Sequence, residues 1–254
     1  MTQTSAGMPD YGNWVSTRLI IVPATFSLLF AGLSALLPLL VIVAALFWFV
    51  ALYFAVARHL FSPRGKDVQG QVRGLLLSTL DWNGEGQALD IGCGNGFVTI
   101  AVAKQYPSAQ VTGIDNWGER WQYGERKCET NAQLEGVADR VAFRRASAAD
   151  LPFDDESFDL VVSNFVFHEV GGVKDKKELV REALRVVKKG GRFAIQDLFM
   201  WKQVYGDPDD LLEAVRSWGV REVTLIDTSK ATFIPAVLRL PFMLGTAGIL
   251  IGEK

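Results

Sequence analysis

Cysteine and histidine are scarce in this 254-residue chain, with two of each. Cys93 and Cys128 have neither a CxxC spacing nor a disulfide-rich density, so they read as free thiols of a reducing compartment. His59 and His168 form no Cys/His cluster at metal-ligand spacing, which argues against a structural zinc site. Net charge is also small, since 26 Lys+Arg against 28 Asp+Glu leaves −2. Nothing global therefore points to nucleic acid or to an acidic partner. Lys and Arg are missing from residues 1–17. A cleaved signal peptide needs a basic leader and an apolar region of only roughly 7–15 residues. No internal repeat or low-complexity tract is visible.

The largest absence is of charge between Leu19 and Ala57, where histidine is missing too. One helix of that length would be about 58 Å long, whereas a hydrocarbon core of about 30 Å needs roughly 20 residues. The run is too long for one span and suits two. Gly32, Ser34 and Pro38 gather weak helix formers between Ala31 and Pro38, which predicts a reversal there and spans near 18–34 and 37–57. Arg18 precedes the first span, Arg58, Arg64, Lys66 and Arg73 follow the second, and the turn is uncharged. The positive-inside rule then puts both flanks in the cytoplasm. Trp14 lies near one interface, with Trp48 and Tyr53 toward the other end of the second span. The competing reading is a hairpin buried in a core, but nothing downstream offers an apolar surface large enough to cover it.

Ser62-Pro63-Arg64-Gly65-Lys66 is rich in structure breakers. It divides an N-terminal tail and hairpin, 1–61, from a soluble domain, 62–254. Val68, Val72, Leu75 and Leu76 recur at helical spacing just after it. Strands are predicted at Ala88–Ile91, Gln110–Ile114, Val141–Arg145, Asp159–Ser163 and Arg192–Gln196, with two more near 221–227 and 245–252. Helices are expected near 97–105, 117–134 and 175–188. The last has Asp175 in its first turn, an apolar face of Leu179, Val180, Ala183, Leu184 and Val187, and Lys188-Lys189 before Gly190. Such alternation predicts an α/β fold, a doubly wound and mostly parallel sheet behind two transmembrane helices.

Chemistry enters at Leu89-Asp90-Ile91-Gly92-Cys93-Gly94-Asn95-Gly96, which follows a strand and opens a helix. Asp115 ends the next strand, placed to accept hydrogen bonds from ribose hydroxyls. A dinucleotide-binding dehydrogenase shares these features. The spacing here is GxGxG rather than GxGxxG, and Asp90 beside the loop would repel a pyrophosphate yet receive an ammonium group. Taken singly, the glycines are also plain turn formers and Asp115 a helix cap.

Four motifs in order make the sequence resemble class I S-adenosylmethionine-dependent methyltransferases, especially the ubiquinone and menaquinone branch. They are Leu89–Gly96, the Asp115 strand end, Leu151-Pro152-Phe153 followed by Asp155–Val161, and Val187-Lys188-Lys189-Gly190-Gly191-Arg192-Phe193. The resemblance implies a seven-stranded sheet with the last strand antiparallel, and S-adenosylmethionine as cofactor. It implies that Gly92, Gly94 and Gly96 pass under the methionine part, with Asp90 at its amino end. Asp115 would bind ribose, Asn116 and Trp117 would flank adenine, and Asn164 would approach the methionine end through its backbone. The branch usually carries Asp before the small residue that contacts adenine; Ser147 stands there, before Ala148.

Methyl transfer from a sulfonium is an in-line displacement, so alignment and desolvation supply much of the catalysis. A base is needed only where the nucleophile must lose a proton. His168, in Ser163-Asn164-Phe165-Val166-Phe167-His168-Glu169 after the fourth strand, is the candidate, with a capping or packing histidine as the alternative. Thr232–Leu244 is apolar around Arg239 and reads as a buried connection, or as a lid or membrane-touching surface for a lipid-like acceptor. The expected function is methylation of a small, hydrophobic or membrane-associated acceptor on the cytoplasmic face. Methylation of a membrane-associated protein and a non-catalytic cofactor-binding membrane protein are the rivals; neither metal nor nucleic acid is expected as a partner.

Overall fold

In the computed structural model, which describes residues 7–118 and 124–254, the chain divides into two compact units. One comprises residues 13–72, and the other the residues up to Gly12 together with 73–254.

The smaller unit holds helices α1 (Arg18–Leu33) and α2 (Leu40–Phe61) and the start of α3 (Val68–Ser78). The predicted reversal is present as the turn between Leu33 and Leu40. Phe47 stacks on Phe26 at 5.3 Å and on Phe30 at 5.7 Å between ring centroids. The Ser27 hydroxyl donates to the Ala44 carbonyl at 2.8 Å, so a polar group inside the helix pair is satisfied. Outward faces are apolar, with Leu28 74%, Leu46 62% and Phe49 65% exposed. Of the two helices, only α2, with 22 residues and a mean hydropathy of 2.7, is long and apolar enough to cross a membrane. The 16 residues of α1 give about 24 Å of helix. The first helix, expected over 18–34, ends one residue earlier, and the second, expected over 37–57, runs from Leu40 to Phe61.

The larger unit is built on a seven-stranded sheet in the order β3-β2-β1-β4-β5-β7-β6. Its elements in chain order are β1 (Gly86–Ile91), α4 (Phe97–Gln105), β2 (Ala109–Asp115), α5 (Glu125–Leu134), β3 (Val141–Arg145), β4 (Phe158–Asn164), α6 (Lys177–Arg185) and β5 (Val187–Asp197). Then come α7 (Lys202–Tyr205), α8 (Pro208–Ser217), β6 (Glu222–Asp227) and β7 (Gly248–Glu253). The first five strands run parallel, and β7 is antiparallel to both β5 and β6. Apolar cores lie on both faces, one around Ile91, Val161, Phe193 and Leu184, the other around Ala88, Val98, Val111 and Val162. From α6, Leu179, Val180, Ala183 and Leu184 are buried. Each large aliphatic side chain so placed contributes roughly 1.5–3 kcal/mol.

Two helix boundaries differ from expectation. The helix expected over 175–188 ends at Arg185, and Val187 begins β5 as the partner of Phe158. The Val186 carbonyl accepts the N–H groups of Ser157 and Phe158, so sheet pairing captures a segment whose apolar pattern fits either state. The helix expected over 117–134 is seen as α5, with Trp117 and Gly118 in an irregular connection; 119–123 lie outside the described residues.

Candidate active site at the carboxyl edge of the sheet

The chain turns outward from β1 to β2 and β3, then returns to place β4 on the other side of β1. In an open parallel sheet the crevice at such a reversal, beyond the carboxyl ends, is where ligands bind. The glycine loop leaves β1 here and the Asn164–Glu169 turn leaves β4. The Ser163 hydroxyl donates to the Ile91 carbonyl at 2.9 Å, joining the two strand ends.

Backbone geometry explains the glycines. Gly92, Gly94 and Gly96 have φ of 75°, 58° and 84°, a region other residues enter only with strain. A side chain at Gly92 would also collide with Val166, whose Cγ2 lies 2.2 Å from an ideal Cβ. The Gly92 and Cys93 N–H groups both donate to the Ile114 carbonyl, at 2.7 and 2.9 Å, holding the loop against β2.

Asp115 sits at the end of β2, its Oδ2 accepting from the Gly94 N–H at 2.9 Å and its Oδ1 from the Trp117 N–H at 2.7 Å. Each oxygen retains a lone pair for a ligand hydroxyl. Trp117 is held at φ 43°, buried against Cys93 and Cys128, and its indole N–H donates to the Gly94 carbonyl at 2.8 Å. It thus braces the glycine loop, while Asn116 beside it is exposed. Cys128 Sγ also meets the Gly94 carbonyl, at 3.1 Å, and both cysteines are buried free thiols. Burial pushes the Cys93 thiol upward, so neither its environment nor its access favours a thiolate.

Asp90 is buried, with Oδ2 accepting the Thr99 hydroxyl at 2.7 Å. Burial raises its pKa to about 7 against the lowering effect of Thr99. Ser147 and Ala148 follow β3, the Ser147 hydroxyl accepting the Ala149 N–H at 3.1 Å. Asn164 closes β4 and donates through Nδ2 to Gln196 Oε1 at 2.7 Å. Phe165 follows at φ 56°, a second non-glycine residue in a disfavoured conformation at this edge. Such strain costs about 1–3 kcal/mol and concentrates where function demands a shape.

His168 lies in the turn after β4, with Nδ1 2.7 Å from Oδ1 of Asp197 at the end of β5. Sequence reasoning did not single out Asp197, although it closes an apolar strand, Phe193-Ala194-Ile195-Gln196, much as Asp115 closes its own. Nor does any sequence signal show that residues 10–11 join this unit. There the Asp10 carbonyl accepts from Asn131 Nδ2 at 3.0 Å, Asn131 Nδ2 reaches the Asn95 carbonyl at 3.0 Å, and Tyr11 packs edge-on to Phe97 at 4.9 Å.

The motif Leu151-Pro152-Phe153 has a structural basis away from the crevice. The Arg185 guanidinium donates to the Leu151 and Phe153 carbonyls at 3.0 and 2.8 Å, and Glu182 accepts the Leu151 N–H at 2.9 Å. The segment 232–244 joins β6 to β7, burying Ile234, Leu238 and Leu244 while Val237, Leu240 and Phe242 face outward.

Comparison with known proteins agrees with this geometry. Residues 89–195 match the family described as a methyltransferase domain. The methyltransferase YcgJ of Bacillus subtilis is 32% identical over 129 residues, 51% of this chain and 47% of that protein. A ubiquinone/menaquinone biosynthesis C-methyltransferase of Geotalea daltonii is 34% identical over 111 residues, 43% of this chain and 44% of its own. The chain thus spans about half the length of the curated relatives it matches. The crystal structure of YcgJ superposes with a TM-score of 0.51 at 22% identity, over 73% of this chain and 98% of the other. Geranyl diphosphate C-methyltransferase from Streptomyces coelicolor, crystallised with Mg2+, geranyl diphosphate and S-adenosyl-L-homocysteine, gives 0.55 at 16% identity, over 74% and 80%. Residues 89–195 thus match a methyltransferase domain, and the sheet that carries them has the fold of these solved structures.

Proposed function

We propose that the whole chain is a membrane-anchored enzyme that methylates a small hydrophobic acceptor. The observation that carries the methyltransferase reading is the glycine loop, tied to β2 through Ile114 and Asp115, at the reversal between β1 and β4. S-adenosylmethionine would supply an activated methyl group on a sulfonium. Gly92, Gly94 and Gly96 would let the backbone pass beneath its methionine part, with Asp90 and the Asn164 backbone toward the amino acid end. The lone pairs of Asp115 left over from Gly94 and Trp117 would receive the ribose hydroxyls. Asn116, Trp117, Ser147 and Ala148 would border the adenine, and His168 would serve as general base.

The apolar exteriors of α1 and α2, with basic residues at both flanks, support anchoring in a bilayer with the catalytic unit on the cytoplasmic face. Anchoring concentrates an enzyme near hydrophobic substrates. Relatives named for ubiquinone and menaquinone synthesis support an acceptor of that class, a lipid-soluble ring or chain.

Calorimetric titration of S-adenosylmethionine into the full chain in detergent tests the central reading. Saturable binding is expected, weakened at least tenfold by Asp115→Ala, with no binding of NAD. Absence of binding to folded protein would overturn it.

A further inference from the structure

Asp197 is buried at the end of β5, and both of its carboxylate oxygens are hydrogen-bonded. Oδ2 accepts the N–H groups of Val166 and Phe167 at 3.1 and 2.8 Å, and Oδ1 accepts that of Leu198 at 2.7 Å. Oδ1 also meets His168 Nδ1 at 2.7 Å. Backbone donors from the turn after β4 thus lock the carboxylate and the imidazole to one frame. An ionised carboxylate only accepts, so Nδ1 of His168 must carry the hydrogen. In the neutral ring Nε2 is then the basic atom, and the side chain keeps 17% of its surface open.

The charges facing the ring are few. Glu169 Oε1 lies 3.7 Å from Nε2, too far for a hydrogen bond. Burial lowers the His168 pKa, but the charge and hydrogen bond of Asp197, helped by Glu169, more than reverse this, with Lys176 opposing; the net shift is upward. Asp197 itself is pushed up by burial, yet His168 and the backbone donors hold it below the usual carboxylate range. The Tyr205 hydroxyl beside it is kept protonated by burial and by that charge.

We infer that Asp197 is a positioning residue that holds His168 with Nε2 as proton acceptor, and that the methyl acceptor is protic: a phenol, an enol or an equivalent carbon acid. The inference rests on the proposed methyltransferase reading. In the transfer, the acceptor's X–H proton passes to His168 Nε2 and the freed electron pair forms the new bond to the methyl carbon. The carbon–sulfur bond breaks with its electron pair going to sulfur, which becomes a neutral thioether. The imidazolium then returns its proton to solvent, and Asp197 stabilises it meanwhile. An acceptor without a proton to lose, such as a tertiary amine or a thioether, would make the dyad idle.

The test needs no variant to begin. With only two histidines in the chain, nitrogen-15 histidine labelling of the full protein in detergent gives two ring systems, and His168→Gln assigns them. Nδ1–H with unprotonated Nε2 is expected for His168 at pH above its transition; the opposite tautomer would overturn the inference. Asp197→Asn should lower the His168 transition and shift the kcat–pH profile with it. Its kcat should fall at least a hundredfold while S-adenosylmethionine affinity stays within threefold; unchanged kcat would count against the role. His168→Gln, at a less buried position, repeats the activity comparison should Asp197→Asn fail to fold. Labelled methyl donor offered to 2-naphthol, menadiol and N,N-dimethylbenzylamine should mark the first two only. Label on the amine alone, or no label on either acid, would overturn the acceptor class. Failed cofactor binding in the same sample would instead sink the methyltransferase reading, leaving the tautomer result standing.

Discussion

Val166 closes over Gly92 so tightly that its Cγ2 occupies the space a β-carbon would need, 2.2 Å from the ideal position. The glycine loop and the turn carrying His168 are therefore interlocked. Gly92→Ala faces this collision and a φ of 75°, the latter alone costing about 1–3 kcal/mol. The expected outcome is a Tm lower by several degrees and S-adenosylmethionine affinity reduced more than tenfold. Adding Val166→Ala should recover part of the Tm but little of the affinity, because the φ penalty remains. Thermal unfolding and calorimetry on both variants check this.

Asp90 makes stability fall as pH rises. Its folded pKa is raised from 3.8 to about 7, so between those values the native state binds more protons than the unfolded chain. The unfolding free energy then decreases with pH by up to about 1.4 kcal/mol per unit from this group, and levels off above the folded pKa. An asparagine at this position would keep an acceptor for the Thr99 hydroxyl without the buried charge. Asp90→Asn is expected to raise Tm by several degrees at pH 8 and to change it little at pH 4. Cofactor affinity should fall in the same variant, since the proposed site for the ammonium group is lost. A pH series of melting curves, beside a cofactor titration, separates the two effects.

Arg185 is the anchor of the Leu151–Phe153 segment. It bonds both carbonyls together with Glu182 and Asp155. Arg185→Ala should cost about 2–3 kcal/mol, since the Leu151 and Phe153 carbonyls lose charged donors. Arg185→Lys should recover little of this, because an ammonium cannot span the fork. Urea unfolding would show an unchanged m-value with a lower midpoint.

The helical unit is expected to keep the full chain in the membrane pellet after alkaline extraction. Lysine at both Leu46 and Phe49, outward positions of α2, would place charges against lipid and should shift the protein to the supernatant. Retention of that variant in the pellet would argue that the outward face of α2 does not meet lipid.

Much of this architecture is legible in sequence because local and tertiary preferences agree. Leu89–Gly96 has the turn residues its backbone needs, and apolar strands alternate with amphipathic helices. The end of α6 shows the limit: Val187 extends the helical apolar stripe, yet pairing with Phe158 is a long-range event that no local pattern records. Trp117 likewise reads as an adenine neighbour, and only the fold shows its indole bonded to Gly94. Asp197 is hidden from such a reading because its partner His168 lies 29 positions earlier and meets it only across two adjacent strands.

Asp10 and Tyr11 belong to the same compact unit as residues 73–254, although residues 13–72 separate them in sequence. In chain order, then, residues 13–72 lie between two parts of the larger unit. A soluble form obtained by cutting at residue 62 would discard the segment that bonds Asn131 and packs on Phe97. Excision has two junctions to heal, and the earlier one comes before Asn13.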